Sequence, residues 1–421
     1  MQSRQSPLTL ISPVKAGQAQ QLDGVLKKID LEISHGIVQP FEALETIHYA
    51  RWFLLHPGDI AYDYGKDPGV RMVFSSDFDG DPAGHVASLA GQCPGFLDQL
   101  YEHCEGYPDL GARTPDSRTQ FLMACMVPCS AFFAGAPGRS LLRIRQESAL
   151  RDHIWNFLNE NKWKGKTPSE VFQVVCREIS GRPEFQWVEE KTVYPKVSVA
   201  GLALLGIILG LLSPVVLLWV LAIRIFHETR DVPLGLSPSQ VDPDHLEKLE
   251  EYEDRQRQNQ FTQVLVMKPG PVRLITLLSM MAFARALIRF LFVNGKLMGI
   301  PTIHFARWVM IDQRKVMLFF SNFDGSWQQY LGDFIDKSGW GLTGIWSNTI
   351  KFPKTRFLFW GGAYDEEHFL AWSRFYQIPT QVWYCAYPHL SIKNIVNNSF
   401  IRERLGKKLN DRQAREFLNR F

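Results

Sequence analysis

The sequence predicts an α+β protein made of two divergent copies of one domain, with a long hydrophobic segment between them. Three observations carry this expectation. Thr46-Ile47-His48-Tyr49-Ala50-Arg51-Trp52 recurs as Thr302-Ile303-His304-Phe305-Ala306-Arg307-Trp308, with one aromatic exchange. Each copy then runs through apolar residues into a second shared string, Ser76-Asp77-Phe78-Asp79-Gly80 or Ser321-Asn322-Phe323-Asp324-Gly325. The stretch from Val197 to Ile223 contains no charge at all. Matching strings in the same order are the mark of an internal duplication. The parallel continues from Phe132–Pro137 to Trp383–Pro388, and from Ser140–Ile154 to Ser391–Leu405.

In the second copy, 302–311 reads as a strand, the polar turn Asp312–Lys315 reverses the chain, and 316–323 reads as its hairpin partner. Apolar residues at helical spacing (Trp327, Tyr330, Leu331, Phe334, Ile335) make 327–337 a helix, and 356–360 reads as a third strand. Asp365 to Tyr376 is helical, with three carboxylates where a helix N-terminus favours anions. Thr380 to Ala386 reads as strand, and a helix follows from about Ser391. Helices alternating with strands around an antiparallel hairpin predict a sheet covered on one face, and two such sheets can bury their open faces against each other.

This layout and the two shared strings resemble the ferredoxin-like, dimeric α+β-barrel superfamily, which includes dye-decolorizing peroxidases and chlorite dismutases. Of the peroxidase GxxDG signature the chain carries Phe-Asp-Gly at 78–80 and 323–325, without the leading glycine. The resemblance implies two ferredoxin-like repeats closing into one intrachain barrel. It further implies a peroxidase-like oxidoreductase with haem as cofactor, and a cavity held close to the lipid surface by the hydrophobic segment would suit a lipid-soluble substrate. A non-catalytic protein that binds a hydrophobic ligand or serves as a membrane scaffold is the competing expectation.

The expected organisation is an N-terminal tail (1–40), a first repeat (41–160), a helical connector (161–195) and a hydrophobic membrane segment (196–226). A charged linker (227–271), an amphipathic interfacial helix (272–296) and a second repeat (297–421) complete it. A helix over Val197–Ile223 would be roughly 40 Å long at ~1.5 Å per residue, enough to cross a hydrocarbon core of ~30 Å. Two repeats that share one core must lie on one side of the bilayer. The segment therefore dips in and returns, or a second crossing exists near Val272–Val293. Arg285 and Arg289 argue instead for an in-plane helix there, with the arginines facing phosphates. A lipid bilayer is thus the expected partner, and a hydrophobic small molecule a second.

The 46 Lys+Arg against 43 Asp+Glu leave a net charge of +3, which excludes a dedicated nucleic-acid binder. Six dispersed cysteines fit neither a zinc site nor a disulfide framework, and the first residues lack a signal-peptide core. Reduced thiols and repeats facing the cytoplasm are expected.

Polar residues set in apolar strands are the candidates for chemistry. His48 and His304 could ligate haem iron, Arg51 and Arg307 could clamp a carboxylate, and Asp79 and Asp324 could serve as acid–base groups. For each, a structural role common to both copies competes: a hydrogen-bonded position, a turn or a helix cap. Period-two alternation places His304 and Arg307 on opposite faces. Residues present in one copy only, His389 and His368, are alternative iron ligands, and Asn394, Asn397 and Asn398 form an amide-rich patch facing Ile144, Glu147 and Ser148. No P-loop, GxGxxG, HExxH or GxSxG nucleophile elbow stands at a suitable junction.

Overall fold

The two repeated strings form equivalent central strands in two separate sheets. A computed structural model describes residues 4–36, 44–60, 68–190 and 192–421. Residues 37–40 of the expected tail, and 41–43 and 61–67 of the expected first repeat, lie outside the described residues. The first part contains β1 (Gln5–Pro13), α1 (Ala19–Ser34), β2 (Ile47–Leu55), β3 (Arg71–Asp79), α2 (Pro82–Gln92), α3 (Pro94–Tyr101), α4 (Pro115–Ala124), β4 (Cys129–Ala134), α5 (Leu141–Glu160) and α6 (Pro168–Ser180). Next come α7 (Val199–Phe226), α8 (Pro243–Glu250), β5 (Gln258–Val266) and α9 (Pro271–Phe290). The last part contains β6 (Ile303–Ile311), β7 (Val316–Asp324), α10 (Trp327–Trp346), β8 (Thr355–Arg356), β9 (Trp360–Gly361), α11 (Glu366–Phe375), β10 (Val382–Cys385), α12 (Ile392–Leu405) and α13 (Asp411–Leu418).

One antiparallel sheet has the order β1-β3-β2-β10 and the other β5-β7-β6-β4. The order is the same in both, yet each fourth strand comes from the other half of the chain. β4 pairs with β6 (Phe132 opposite Arg307), and β10 pairs with β2 (Trp383 opposite Arg51). The halves are therefore interlocked.

Two segments read from sequence as peripheral belong to these sheets. The expected tail supplies β1, an edge strand whose prolines suit an edge because proline cannot donate to a ladder. The expected charged linker supplies β5, every residue of which is buried, and its Glu253 is buried against Arg374 at 2.6 Å. The expected strand at 356–360 forms only the two-residue ribbon β8–β9.

The outer face of the first sheet (Trp52, Leu54, Phe74) is covered by Leu22 and Leu26 of α1, Leu89 of α2, Leu97 of α3 and Leu122 of α4. The outer face of the second sheet (Trp308, Phe319) is covered by α9, α10 and α11. The inner faces meet through Phe53, Leu55 and Val73 against Val264, Val309 and Phe320. At one end, α5, α6, α12 and α13 share their own apolar cluster around Leu150, Phe172, Ile401 and Phe417.

Among the described residues, α7 and α9 are the two helices long and apolar enough to cross a membrane. They run antiparallel: the Ser198 amide donates to the Phe290 carbonyl (3.1 Å) at one end, and Trp219 Nε1 donates to Thr276 Oγ1 (2.9 Å) towards the other. Gly201 allows close approach, because a Cβ there would stand 2.6 Å from the Phe290 ring. α9 turns Leu277 and Met281 into the core, whereas the most apolar stretch of α7 buries none of its residues. Both ends of α7 are tied to the same folded body. Before it, Tyr194 accepts from Arg402 of α12 (3.2 Å); after it, the buried Glu228 carboxylate accepts from Thr355 Oγ1 (2.9 Å) and the Phe357 (2.9 Å) and Leu358 (2.7 Å) amides.

Candidate functional site

The repeated polar residues converge between the sheets and are occupied by the fold. Arg51 reaches across to the second sheet, donating to the carbonyls of Phe261 (2.8 Å) and Ser321 (2.9 Å), to Thr262 Oγ1 (2.9 Å) and to Asn322 Oδ1 (2.5 Å). Arg307 reaches the opposite way, donating to the carbonyls of Leu8 (2.6 Å) and Ser76 (2.7 Å) and to the Asp77 carboxylate. Asp77 also accepts from Asn322 Nδ2 (2.9 Å), whose own oxygen accepts from Trp383 Nε1 (3.0 Å). Burial lowers the Arg51 guanidinium to about 9, with Asp77 opposing the shift. The arginines thus lock sheet to sheet.

His48 and His304 depart from the expected strand alternation. The register slips between Ile47 and Tyr49 and between Ile303 and Phe305, so each histidine sits at a bulge, which re-aims its side chain. His48 Nε2 lies 3.2 Å from Asp79 Oδ1, and His304 Nε2 lies 2.8 Å from Asp324 Oδ1. The other oxygen of each carboxylate accepts the first amide of a helix, Leu141 in α5 (2.7 Å) and Ile392 in α12 (2.9 Å). A carboxylate there satisfies an orphan donor and favours the positive end of the helix. Each His–Asp pair therefore fastens the helix that follows an exchanged strand.

This arrangement does not fit haem. His48 is 0 % and His304 1 % exposed, wrapped by Phe305 (5.3 Å from His48), Tyr49 (5.5 Å from His304) and Tyr387, and neither lines either large cavity described below. His368 is exposed and paired with Asp365 (2.7 Å), which raises its pKa. His389 lines one of the two cavities. The walls there mix the charged and amide groups of Arg145, Asp152, Arg257 and Asn398 with the apolar surfaces of Tyr387, Pro388 and Leu390. Among the described residues no three His, Cys, Asp or Glu side chains gather as a metal site.

That cavity, of about 690 Å³, opens between α5, α12 and the segment before β5. Arg145, Ser148, Ala149 and Asp152 recur at helical spacing on one face of α5, and Asn394 and Asn398 on one face of α12. A second cavity of about 780 Å³ shares Arg151 and Asn394 with it and extends to Asn294, Gly295 and Lys296, just beyond α9. Of the amide patch read from sequence, Asn394 caps α12 through Ser391 (3.0 Å), and Asn397 donates to the Arg420 carbonyl (3.1 Å). Asn398, 1 % exposed, has no partner for its amide oxygen or nitrogen among the described residues. Sequence reasoning found Asn398 but not Arg145 and Arg151 on α5 or Arg257 before β5, which come together only in the folded chain.

No known protein family, curated protein or solved structure matches the chain at a significant level.

Proposed function

We propose that this chain is a monotopic membrane protein, held in one leaflet by the α7–α9 pair, whose folded body binds an amphipathic ligand rather than carrying out haem-dependent oxidation. The observation that carries this reading is the pair of ties at the ends of α7. A helix of its 28 residues spans about 42 Å at ~1.5 Å per residue, and as a crossing it would part Tyr194 from Glu228 by a hydrocarbon core of ~30 Å. Both residues are bonded to one body, and α7 lies along α9, which lies on the core. Its bare apolar surface calls for a covering, and lipid covers it without moving either end.

The layout of two facing sheets with the same strand order supports descent of both halves from one ferredoxin-like unit closed into an α+β barrel. It does not carry the oxidoreductase activity of that superfamily, because the His, Arg and Asp residues suggested for it are engaged in holding the sheets and helices together.

Topology tests the reading. Single Glu189→Cys and Arg230→Cys variants flank α7 at exposed positions. In sealed neutral vesicles a membrane-impermeant maleimide should label both from the same side, and the protein should float with the vesicles. Labelling from opposite sides overturns the monotopic arrangement, and failure to float overturns membrane attachment.

A further inference from the structure

We propose that the two joined cavities between α5, α12 and the segment leaving α9 take a phosphate ester that carries a free hydroxyl, as in the headgroup of a polyol phospholipid. Charge is the first support. Arg145, Arg151, Arg257, Lys296, Lys393 and Arg420 line the cavities, against Asp152 as the only carboxylate in the lining. Asp152 is paired with Arg151 (3.0 Å) and Arg420 with Glu416 (3.5 Å), whereas Arg145, Arg257, Lys296 and Lys393 have no ion pair among the described residues. A chain of net charge +3 thus gathers a local excess of cation in one basin.

Asn398 is the second, independent support. A buried amide left without partners costs free energy, and its two ends ask for different things: the nitrogen for an acceptor, the oxygen for a donor. A phosphate oxygen beside a hydroxyl supplies both, whereas inorganic anions that lack a donor supply only one. Position is the third support. Asn294, Gly295 and Lys296 connect the basin directly to the end of α9, where the start of α7 meets it. A lipid as the source of this ester rests on the monotopic reading; the phosphate-ester chemistry of the basin does not.

The test measures flotation of the full chain with vesicles of phosphatidylcholine alone or containing phosphatidylglycerol, together with calorimetric binding of glycerol 3-phosphate. The wild type should prefer the phosphatidylglycerol vesicles, and Arg145→Glu with Arg257→Glu should reduce that preference by roughly tenfold or more while leaving flotation with neutral vesicles intact. Asn398→Leu should lower it as well, an effect that a diffuse surface field does not produce; Asn398→Ser is the second variant should the leucine form fail to fold. Binding of glycerol 3-phosphate, lost in the same variants, assigns the site to soluble esters too, and its absence confines the site to the lipid headgroup. A preference untouched by the arginine pair, or one that responds to charge but not to Asn398, overturns the proposal. Loss of neutral flotation with glycerol 3-phosphate binding retained would sink the membrane reading and leave the basin standing.

Discussion

Replacing Arg307 with methionine should destabilise the fold more than any comparable surface change. Its guanidinium is 2 % exposed and holds the Leu8 and Ser76 carbonyls and the Asp77 carboxylate across the sheet interface. Methionine fills much of the volume but leaves Asp77 buried with Asn322 alone. Removing one member of a buried ion pair costs about 3–5 kcal/mol, most of it from the stranded charge. The other half of the molecule shows how the cost is relieved. Arg51, the counterpart of Arg307, faces the neutral Asn322 where Arg307 faces Asp77. An asparagine therefore fits the place of Asp77: by itself Asp77→Asn strands Arg307 and should cost a comparable ~3–5 kcal/mol, whereas in the Arg307→Met background it should recover about 2 kcal/mol, because only neutral groups remain there. Urea unfolding followed by tryptophan fluorescence, with all four proteins in one detergent, measures these differences. An Arg307→Met midpoint equal to wild type, or a double variant no more stable than the single, would refute the clamp.

Other consequences follow from single sites. Burial lowers the pKa of His85 to about 3 from the ordinary 6.5, so the folded protein binds fewer protons than the unfolded chain between those values; stability should fall as pH drops from 6.5 towards 3, by a few kcal/mol in all. His85→Tyr, which copies the Phe323–Tyr330 stack (3.8 Å) in place of Phe78–His85 (3.8 Å), should flatten that acid limb in pH-dependent urea titrations. Lys268 is lowered to about 8 from 10.5, first by burial and then by Arg273, with Asp231 opposing. Stability should accordingly rise between pH 8 and 10.5, and Lys268→Met should remove that slope. Gly135→Ala would place a Cβ 1.8 Å from the Ile303 carbonyl oxygen, and should lower the melting temperature more than Gly58→Ala, where nothing lies within 4 Å. Burial raises the Cys385 thiol to about 12, so thiol reagents at neutral pH should leave it unmodified until the protein is unfolded.

Local patterns were legible in the sequence and distant pairings were not. The hairpin expected at 302–311 and 316–323 forms as β6 and β7, because alternation, turn and partner all lie within a short stretch. β5 hid behind its composition: Gln258, Asn259, Gln260, Thr262 and Gln263 read as solvated, yet they are buried because partners meet them there, Tyr49 and the Tyr387 carbonyl for Gln258 (2.5 and 3.0 Å). The crossed pairing of β4 and β10 left no local trace, since two short strands of similar sequence fit either hairpin. At the histidines the strand period fails because a bulge takes each ring out of alternation. Asn398 stood out as part of an amide cluster, while the arginines around it become neighbours only when three separate segments close on one another.

The crossed strands also set an order of events during synthesis. β2 awaits β10, which follows α7 and α9 in the chain, so the first sheet stays open along one edge while those helices are already exposed. An unfinished edge invites wrong partners, and apolar helices seek lipid at once. On the monotopic reading proposed above, the nascent chain would reach the bilayer half-built, with attachment before closure. Separately expressed halves, each lacking the strand that the other lends, should complete one another only when both are present at the same membrane.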